Sequence, residues 1–273
     1  MKLLKKGFIF YINSSIHVGL AVTALSMVTV LEYDLSIPPE VYYFIFFGTI
    51  TAYNFVKYAK IAGLHHRSLT NSLKSIQIFS VFCFGMMIFF AFRISINAVL
   101  VTFGFGLLTF FYAVPFLKRK NLRTISGIKI FIVGIVWAGI TVMVPMMEVK
   151  LELTNDCWLT FFQRVLLVIA LTIPFEIRDI PYDAPNLKTL PQQMGVRAVK
   201  IVGVVILGAM LLLELCKDIL TPNHFVSLFL MSFLVAGVLI FTGIKQSKFY
   251  ASFWVEGIPI LWFLSLFYLE NGI

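Results

Sequence analysis

Residues 125–148 read Ile125-Ser-Gly-Ile-Lys-Ile-Phe-Ile-Val-Gly-Ile-Val-Trp-Ala-Gly-Ile-Thr-Val-Met-Val-Pro-Met-Met-Glu148. No charged residue interrupts the run from Ile130 to Met147. About 20 apolar residues, rising 1.5 Å each, cross the ~30 Å hydrocarbon core of a bilayer as a helix. The run is continuous rather than alternating, so it is not a barrel strand. In lipid, where every backbone polar group must pair internally, that leaves a spanning helix. Lys118, Arg119, Lys120 and Arg123 precede the stretch, and Lys150 alone follows it closely.

Working outward, similar runs occupy 8–31, 40–58, 75–92, 95–117, 157–176, 198–215, 224–244 and 251–269. With 125–148 they predict nine spans in one all-α polytopic membrane bundle, a single domain covering 1–273. Only Arg93 and a few polar residues part the third and fourth. The chain is 60% hydrophobic and 13% charged, with mean hydropathy +0.94. Soluble domains carry roughly 25% charged residues. The first run is too long for a signal-peptide core and is read as a retained span.

The basic residues are unevenly placed. Of the 22 Lys and Arg, only Arg93, Lys150 and Lys217 fall on one side of the predicted membrane; Lys129 and Arg164 lie within spans and the rest collect on the other side. Such a bias marks the cytoplasmic face. It puts the N-terminus and the even-numbered loops in the cytoplasm, with a bacterial inner membrane as the expected setting. The net charge of +9 is thereby a topology signal, and no nucleic-acid partner is expected. Nothing calls for a protein partner either. Cys83, Cys157 and Cys216 have neither metal nor disulfide spacing.

Most acids fall on or near the outer side. The cytoplasmic loops hold only Glu176, Asp179 and Asp183, within Phe175-Glu-Ile-Arg-Asp-Ile-Pro-Tyr-Asp183. Their i, i+3, i+7 spacing puts them on one face if the helix continues. Pro181 would instead bend or end it. Three neighbouring carboxylates suit Mg²⁺, which takes one or two of them plus substrate phosphate oxygens. The spacing equally suits an acidic patch paired with Arg178 and nearby lysines.

The stretch Arg178-Asp-Ile-Pro-Tyr-Asp183, followed by Lys188-Thr-Leu-Pro191 and Gly195, resembles the second aspartate-rich motif of the UbiA-type intramembrane prenyltransferases. Tyr112-Ala-Val-Pro-Phe-Leu-Lys118-Arg-Lys120 is similar to the family's Tyr-x-x-Pro segment ending in basic residues. The resemblance implies a UbiA-like bundle and transfer of a prenyl group from an isoprenyl diphosphate to a lipophilic acceptor. It implies Asp179 and Asp183 as catalytic residues and ligands of a Mg²⁺ cofactor. Asn54, Lys57, Lys118 and Arg119 would contact diphosphate, and Tyr112 would line the substrate pocket, where Asn13, a polar residue within the first run, is also a candidate. The family's first motif, Asn-Asp-x-x-Asp-x-x-x-Asp, falls on Tyr53-Asn-Phe-Val-Lys-Tyr-Ala-Lys-Ile-Ala62, where Asn54 matches but Phe55, Tyr58 and Ala62 replace the acids. Lys57 and Lys60 would then stand in for a cation. The alternative is a catalytically degenerate relative that binds an isoprenoid lipid without transfer. A transporter would carry ionisable residues at mid-membrane; here the acids sit at the interface.

Among the remaining polar residues, His17 lies inside the first run beside Asn13 and Ser14, a candidate pocket residue. Lys129 and Arg164 are expected to snorkel to opposite faces. Glu256 is expected to pair with a lysine or to line the cavity. His65 and His66 point different ways on a helix and suit phosphate better than a shared metal. The 29 Phe residues are read mainly as lipid-facing filler.

Overall fold

The computed structural model describes residues 2–58, 73–115, 122 and 127–272. Among these there is no strand. In chain order the helices are α1 (Lys2–Asn13), α2 (Ile16–Glu32), α3 (Pro39–Tyr58), α4 (Leu73–Ala91), α5 (Ile96–Ala113), α6 (Lys129–Ala138), α7 (Val144–Glu148), α8 (Asn155–Asp179), α9 (Leu190–Glu214), α10 (Pro222–Phe241) and α11 (Ile258–Asn271). A π-helical segment, Gly139–Met143, joins α6 to α7, and another, Tyr250–Val255, precedes α11.

Seven continuous helical stretches are long and apolar enough to cross a membrane: 73–91, 96–113, 129–148, 155–179, 190–214, 222–241 and 250–271. The chain is an integral, multi-pass membrane protein. The first expected span is not one straight helix. It breaks after Asn13, and α1 and α2 meet at 57°. At the break the hydrogen bonds run to α3 rather than along the helix: Ser15 Oγ donates to Asn54 Oδ1 at 2.9 Å, and Asn54 Nδ2 donates to the Ser14 carbonyl at 3.0 Å. Ser15 adopts the left-handed conformation, φ 64° and ψ 19°. The second expected span corresponds to α3, which is long enough at 20 residues but is made more polar by its tyrosines, Asn54 and Lys57. Length and apolar composition alone therefore give seven or eight spans rather than nine.

The weak boundary near Arg93 is real. The Ser95 hydroxyl caps α5 by accepting from the Ala98 amide at 3.2 Å, and the Ser95 amide donates to Glu148 Oε2 at 2.8 Å. The seventh expected run starts earlier than its hydropathy suggests. α9 begins at Leu190, with the Thr189 amide bonded to Gln192 Oε1 at 3.0 Å, and kinks at Gly195, whose φ of 80° suits glycine.

The 129–148 and 155–179 spans are largely buried, and α4 and α5 are mostly exposed. The main apolar core runs along α2 and α8–α11. We call the end of the bundle with Tyr58, Lys129 and Asp179 the basic end, and the end with Glu32, Asn155 and Glu214 the acidic end.

Candidate functional site

Between α3, α4, α5 and α6 lies a cavity of about 560 Å³. Its lining is overwhelmingly aromatic and aliphatic, from Phe44, Met87 and Phe105 toward the acidic end to Tyr53, Tyr112 and Val56 toward the basic end. Phe44 and Val56 are twelve residues apart on α3, so the cavity is about 18 Å deep at 1.5 Å per residue. The Trp137 indole N–H donates to the Tyr53 hydroxyl at 2.7 Å, fixing both rings in the wall. An extended isoprenoid gains about 4.8 Å per five-carbon unit, taking ~1.2 Å per backbone bond. Three to four such units fit the depth.

The basic end of this cavity is charged. Lys57, in the last turn of α3, places its ammonium 5.7 Å from the centroid of the Tyr53 ring and 3.0 Å from Ser15 Oγ. It lies within electrostatic reach of Glu256 and Arg178. Glu256 caps the π-helical segment ahead of α11. On the facing bank, α8 ends at Asp179 and the chain continues for one turn, with the Asp183 amide bonded to the Asp179 carbonyl at 2.9 Å. Pro181 lies in that turn, so of the two alternatives the helix ends there, with Glu176 within electrostatic reach of both Asp179 and Asp183.

Each acid has a different partner. Glu176 is buried and takes the Lys129 ammonium at 2.6 Å, so Lys129 is neutralised inside the bundle rather than snorkelling outward. Both oxygens of Asp179 accept from the Arg178 guanidinium, at 2.8 and 3.2 Å. Asp183 Oδ2 is buried with no hydrogen-bond partner among the described residues. Lys129 is also within reach of Asp183 and Tyr112, which links this bank to the cavity wall. A buried carboxylate oxygen lacking a donor beside a second carboxylate fits an oxygen-liganded dication such as Mg²⁺. The basic-end turns of α3 carry no carboxylate, and the one acid within electrostatic reach of Lys57, Glu256, leaves a second dication without a carboxylate pair on this bank.

The remaining expected residues divide. Tyr112 lines the cavity and is buried. Asn54 is buried beside Lys57, but its amide is spent on the protein: Nδ2 donates to the Ser14 carbonyl at 3.0 Å and to Ser80 Oγ at 2.9 Å, and Oδ1 accepts from Ser15 Oγ at 2.9 Å. Asn13 lies at the helix break, outside the cavity lining, where its carbonyl accepts from the Tyr58 hydroxyl at 2.8 Å. Lys118 and Arg119 lie outside the described residues, as do Lys60, His65 and His66. His17 is not a wall residue: its Nε2 donates to the Phe253 carbonyl at 2.9 Å, which leaves Nδ1 to accept from the Tyr11 hydroxyl at 2.7 Å.

Sequence reasoning missed a second polar assembly at the acidic end. Lys217 bridges Glu32, at 2.5 Å, and Glu214, at 2.6 Å, with His224 Nε2 3.5 and 3.8 Å from the same two side chains. Arg164 does not snorkel: it is fully buried, stacked 4.7 Å over Trp262 and bonded to Thr29 Oγ1 at 3.2 Å. Tyr33 joins through Thr160, and burial, then the Glu32 charge, push its hydroxyl above the ordinary tyrosine range. The Glu32–Glu214–His224 group has the residue types of a metal site. The Lys217 ammonium already occupies the cation position between the carboxylates, and with Arg164 it balances both charges. The assembly is a structural knot joining α2, α8, α9, α10 and α11.

No family model matches the sequence, and no curated protein sequence matches it. Solved structures do. The apo structure of a UbiA homologue from Aeropyrum pernix K1 aligns over 92% of this chain and 97% of its own at TM-score 0.66 and 13% identity. A digeranylgeranylglyceryl phosphate synthase structure aligns over 100% of both chains at TM-score 0.59 and 14% identity. A UbiA homologue from Archaeoglobus fulgidus bound to GPP and Mg²⁺ aligns over 92% of this chain and 96% of its own at TM-score 0.57 and 11% identity. The fold of this chain is the UbiA-type intramembrane bundle.

Proposed function

We propose that this chain, built on the UbiA-type fold, transfers a prenyl group from an isoprenyl diphosphate to a lipophilic acceptor within the membrane. The observation that carries the reading is the meeting of two features. An aromatic-lined cavity about 560 Å³ in volume ends at Tyr53 and Tyr112, where Lys57, Arg178, Asp179 and Asp183 collect. An apolar tail with an anionic head matches that polarity. The donor class agrees with the GPP and Mg²⁺ held by the Archaeoglobus homologue.

In the reaction, the allylic C–O bond breaks and diphosphate leaves with the electron pair. The acceptor forms the new bond to carbon and releases a proton. Mg²⁺ held by Asp179 and Asp183 would supply positive charge to the leaving group. Lys57 and Arg178 add fixed positive charge at the same end, aimed where negative charge develops. The ring faces of Tyr53, Trp137 and Tyr112 stabilise the electron-poor carbon. The apolar wall keeps water from capturing it.

Titrating detergent-purified full-length protein with geranylgeranyl thiodiphosphate, in Mg²⁺ and in EDTA, tests the binding half. Diphosphate release from the natural donor in membranes with lipid extract tests the chemical half. Tighter binding with Mg²⁺, together with release, supports the reading; a folded protein that binds no C10–C20 diphosphate in either condition overturns it. A second reading, isoprenoid binding without transfer, is favoured by Arg178 occupying both oxygens of Asp179. Binding without any turnover decides for it.

A further inference from the structure

The break between α1 and α2 carries a feature the proposed reaction has not used. Ser15 is fully buried, is not glycine, and sits at φ 64°. Non-glycine residues are rarely left-handed, and such conformations collect where the surroundings impose them for function.

What the conformation achieves follows from its hydrogen bonds. The Ser80 hydroxyl donates to the Ile76 carbonyl at 2.7 Å, so its lone pairs face Asn54 Nδ2. Asn54 Nδ2 also donates to the Ser14 carbonyl, which fixes the amide and leaves Oδ1 as the acceptor. Ser15 must therefore give its single proton to Asn54 Oδ1 and can offer Lys57 only a lone pair. The donors run one way, from Lys57 through Ser15 to Asn54. One of the three ammonium N–H groups of Lys57 is directed; among the described residues the other two meet no acceptor.

The charges around Lys57 point the same way. Glu256 attracts it and Arg178 repels it, yet among the described residues no carboxylate comes within ion-pair distance. Its direct contacts are a neutral hydroxyl and the Tyr53 ring. A partly buried ammonium without a contacting counter-charge favours an anion. The α3 turn that carries it has no acid of its own.

We propose that Ser15 and Asn54 are positioning residues that hold the Lys57 ammonium as a built-in cation for the donor diphosphate, so that this half of the site binds diphosphate without a metal. The inference rests on the prenyl-diphosphate reading above and adds to it.

The test is calorimetric binding of geranylgeranyl thiodiphosphate to the wild type, Lys57→Met and Ser15→Gly, each in EDTA and in Mg²⁺, alongside thermal unfolding. Wild type should keep measurable binding in EDTA. Lys57→Met should weaken it roughly 10- to 100-fold, the worth of a charge-assisted hydrogen bond. Ser15→Gly relieves the left-handed backbone but deletes the hydroxyl. Backbone relief offsets the stranded Asn54 Oδ1, so it should unfold within a few degrees of wild type while its EDTA affinity falls about 3- to 10-fold through lost pre-organisation. A purely structural serine would instead move stability and affinity together. Wild-type binding seen only with Mg²⁺, or EDTA affinity unchanged in Lys57→Met, overturns the inference while leaving prenyl transfer intact. Absence of binding by folded wild type in both conditions overturns the underlying reading. Lys57→Met decides the matter alone if Ser15→Gly fails to fold.

Discussion

Replacing Lys217 by methionine keeps the length and apolar stem of the side chain and removes only the ammonium. In the native protein that group lies 2.5 Å from Glu32 Oε1 and 2.6 Å from Glu214 Oε2, with the three side chains 3%, 6% and 1% exposed. Without it, the two carboxylates face each other in a buried site. Thr160 Oγ1 still donates to Glu32, and Gln163 Nε2 to Glu214, both at 2.9 Å. Arg164 is left as the nearby fixed cation. Removing one partner of a buried pair costs about 3–5 kcal/mol, because the remaining charge is stranded. At about 2–4 °C per kcal/mol for a chain of this size, the unfolding midpoint should fall roughly 6–20 °C. The assay is thermal unfolding in detergent, read by a thiol-reactive dye that reaches buried Cys83 and Cys157 as the bundle opens. The combined variant Glu214→Gln, Lys217→Met removes one charge of each sign, leaves Arg164 opposite Glu32, and should recover most of the loss. A Lys217→Met midpoint within about 2 °C of wild type, under roughly 1 kcal/mol, would refute the description of the knot as a closed charge network.

Three further outcomes follow from the site. Asp179→Asn with Asp183→Asn should abolish the Mg²⁺-dependent part of thiodiphosphate binding, about tenfold or more, while the unfolding midpoint stays near wild type because neither acid pairs with another element; unchanged Mg²⁺ dependence in calorimetry would remove both from the metal site. A Cβ added at Gly139 would overlap the ring of Phe105, a cavity-wall residue. Gly139→Ala should push that ring inward and weaken binding of geranylgeranyl thiodiphosphate more than of the geranyl analogue; equal loss for both would mean the ring moves elsewhere. Tyr53→Phe strands the Trp137 indole N–H, costing about 1–3 kcal/mol, and should appear as a lower midpoint with altered tryptophan emission.

The parts of this structure legible in the sequence are those written in contiguous residues. Lipid-length apolar runs set the bundle, and the acids near Asp179 lie together on one bank of the candidate site. The Ser14–Ser15 break is invisible to hydropathy, because two small hydroxyl residues scarcely dent an apolar window. The acidic-end knot is assembled from Glu32, Arg164, Glu214, Lys217 and His224, near the ends of helices far apart in sequence. Singly they look like interface charges, and only packing shows them to be buried together. Lys129 looked like a snorkelling residue because its partner Glu176 lies 47 positions away. Asn54 was the one residue of the first motif to survive the comparison with the family pattern. Its amide is consumed in holding Ser14, Ser15 and Ser80, so its presence in the chain carries an architectural meaning that spacing alone does not reveal.

The cavity wall made by α4 and α5 has a consequence for how the protein responds to its surroundings. Both helices bury little of themselves, and they scarcely touch one another although only a short turn joins them. α4 is held against α3 and α5 against the 129–148 span, so what is left to the acyl chains is the seam between the two. The volume available to a guest molecule is then a joint property of protein and bilayer, varying with lipid thickness and packing. The same polypeptide in a thin bilayer, a sterol-stiffened bilayer and a micelle would present three differently sized containers.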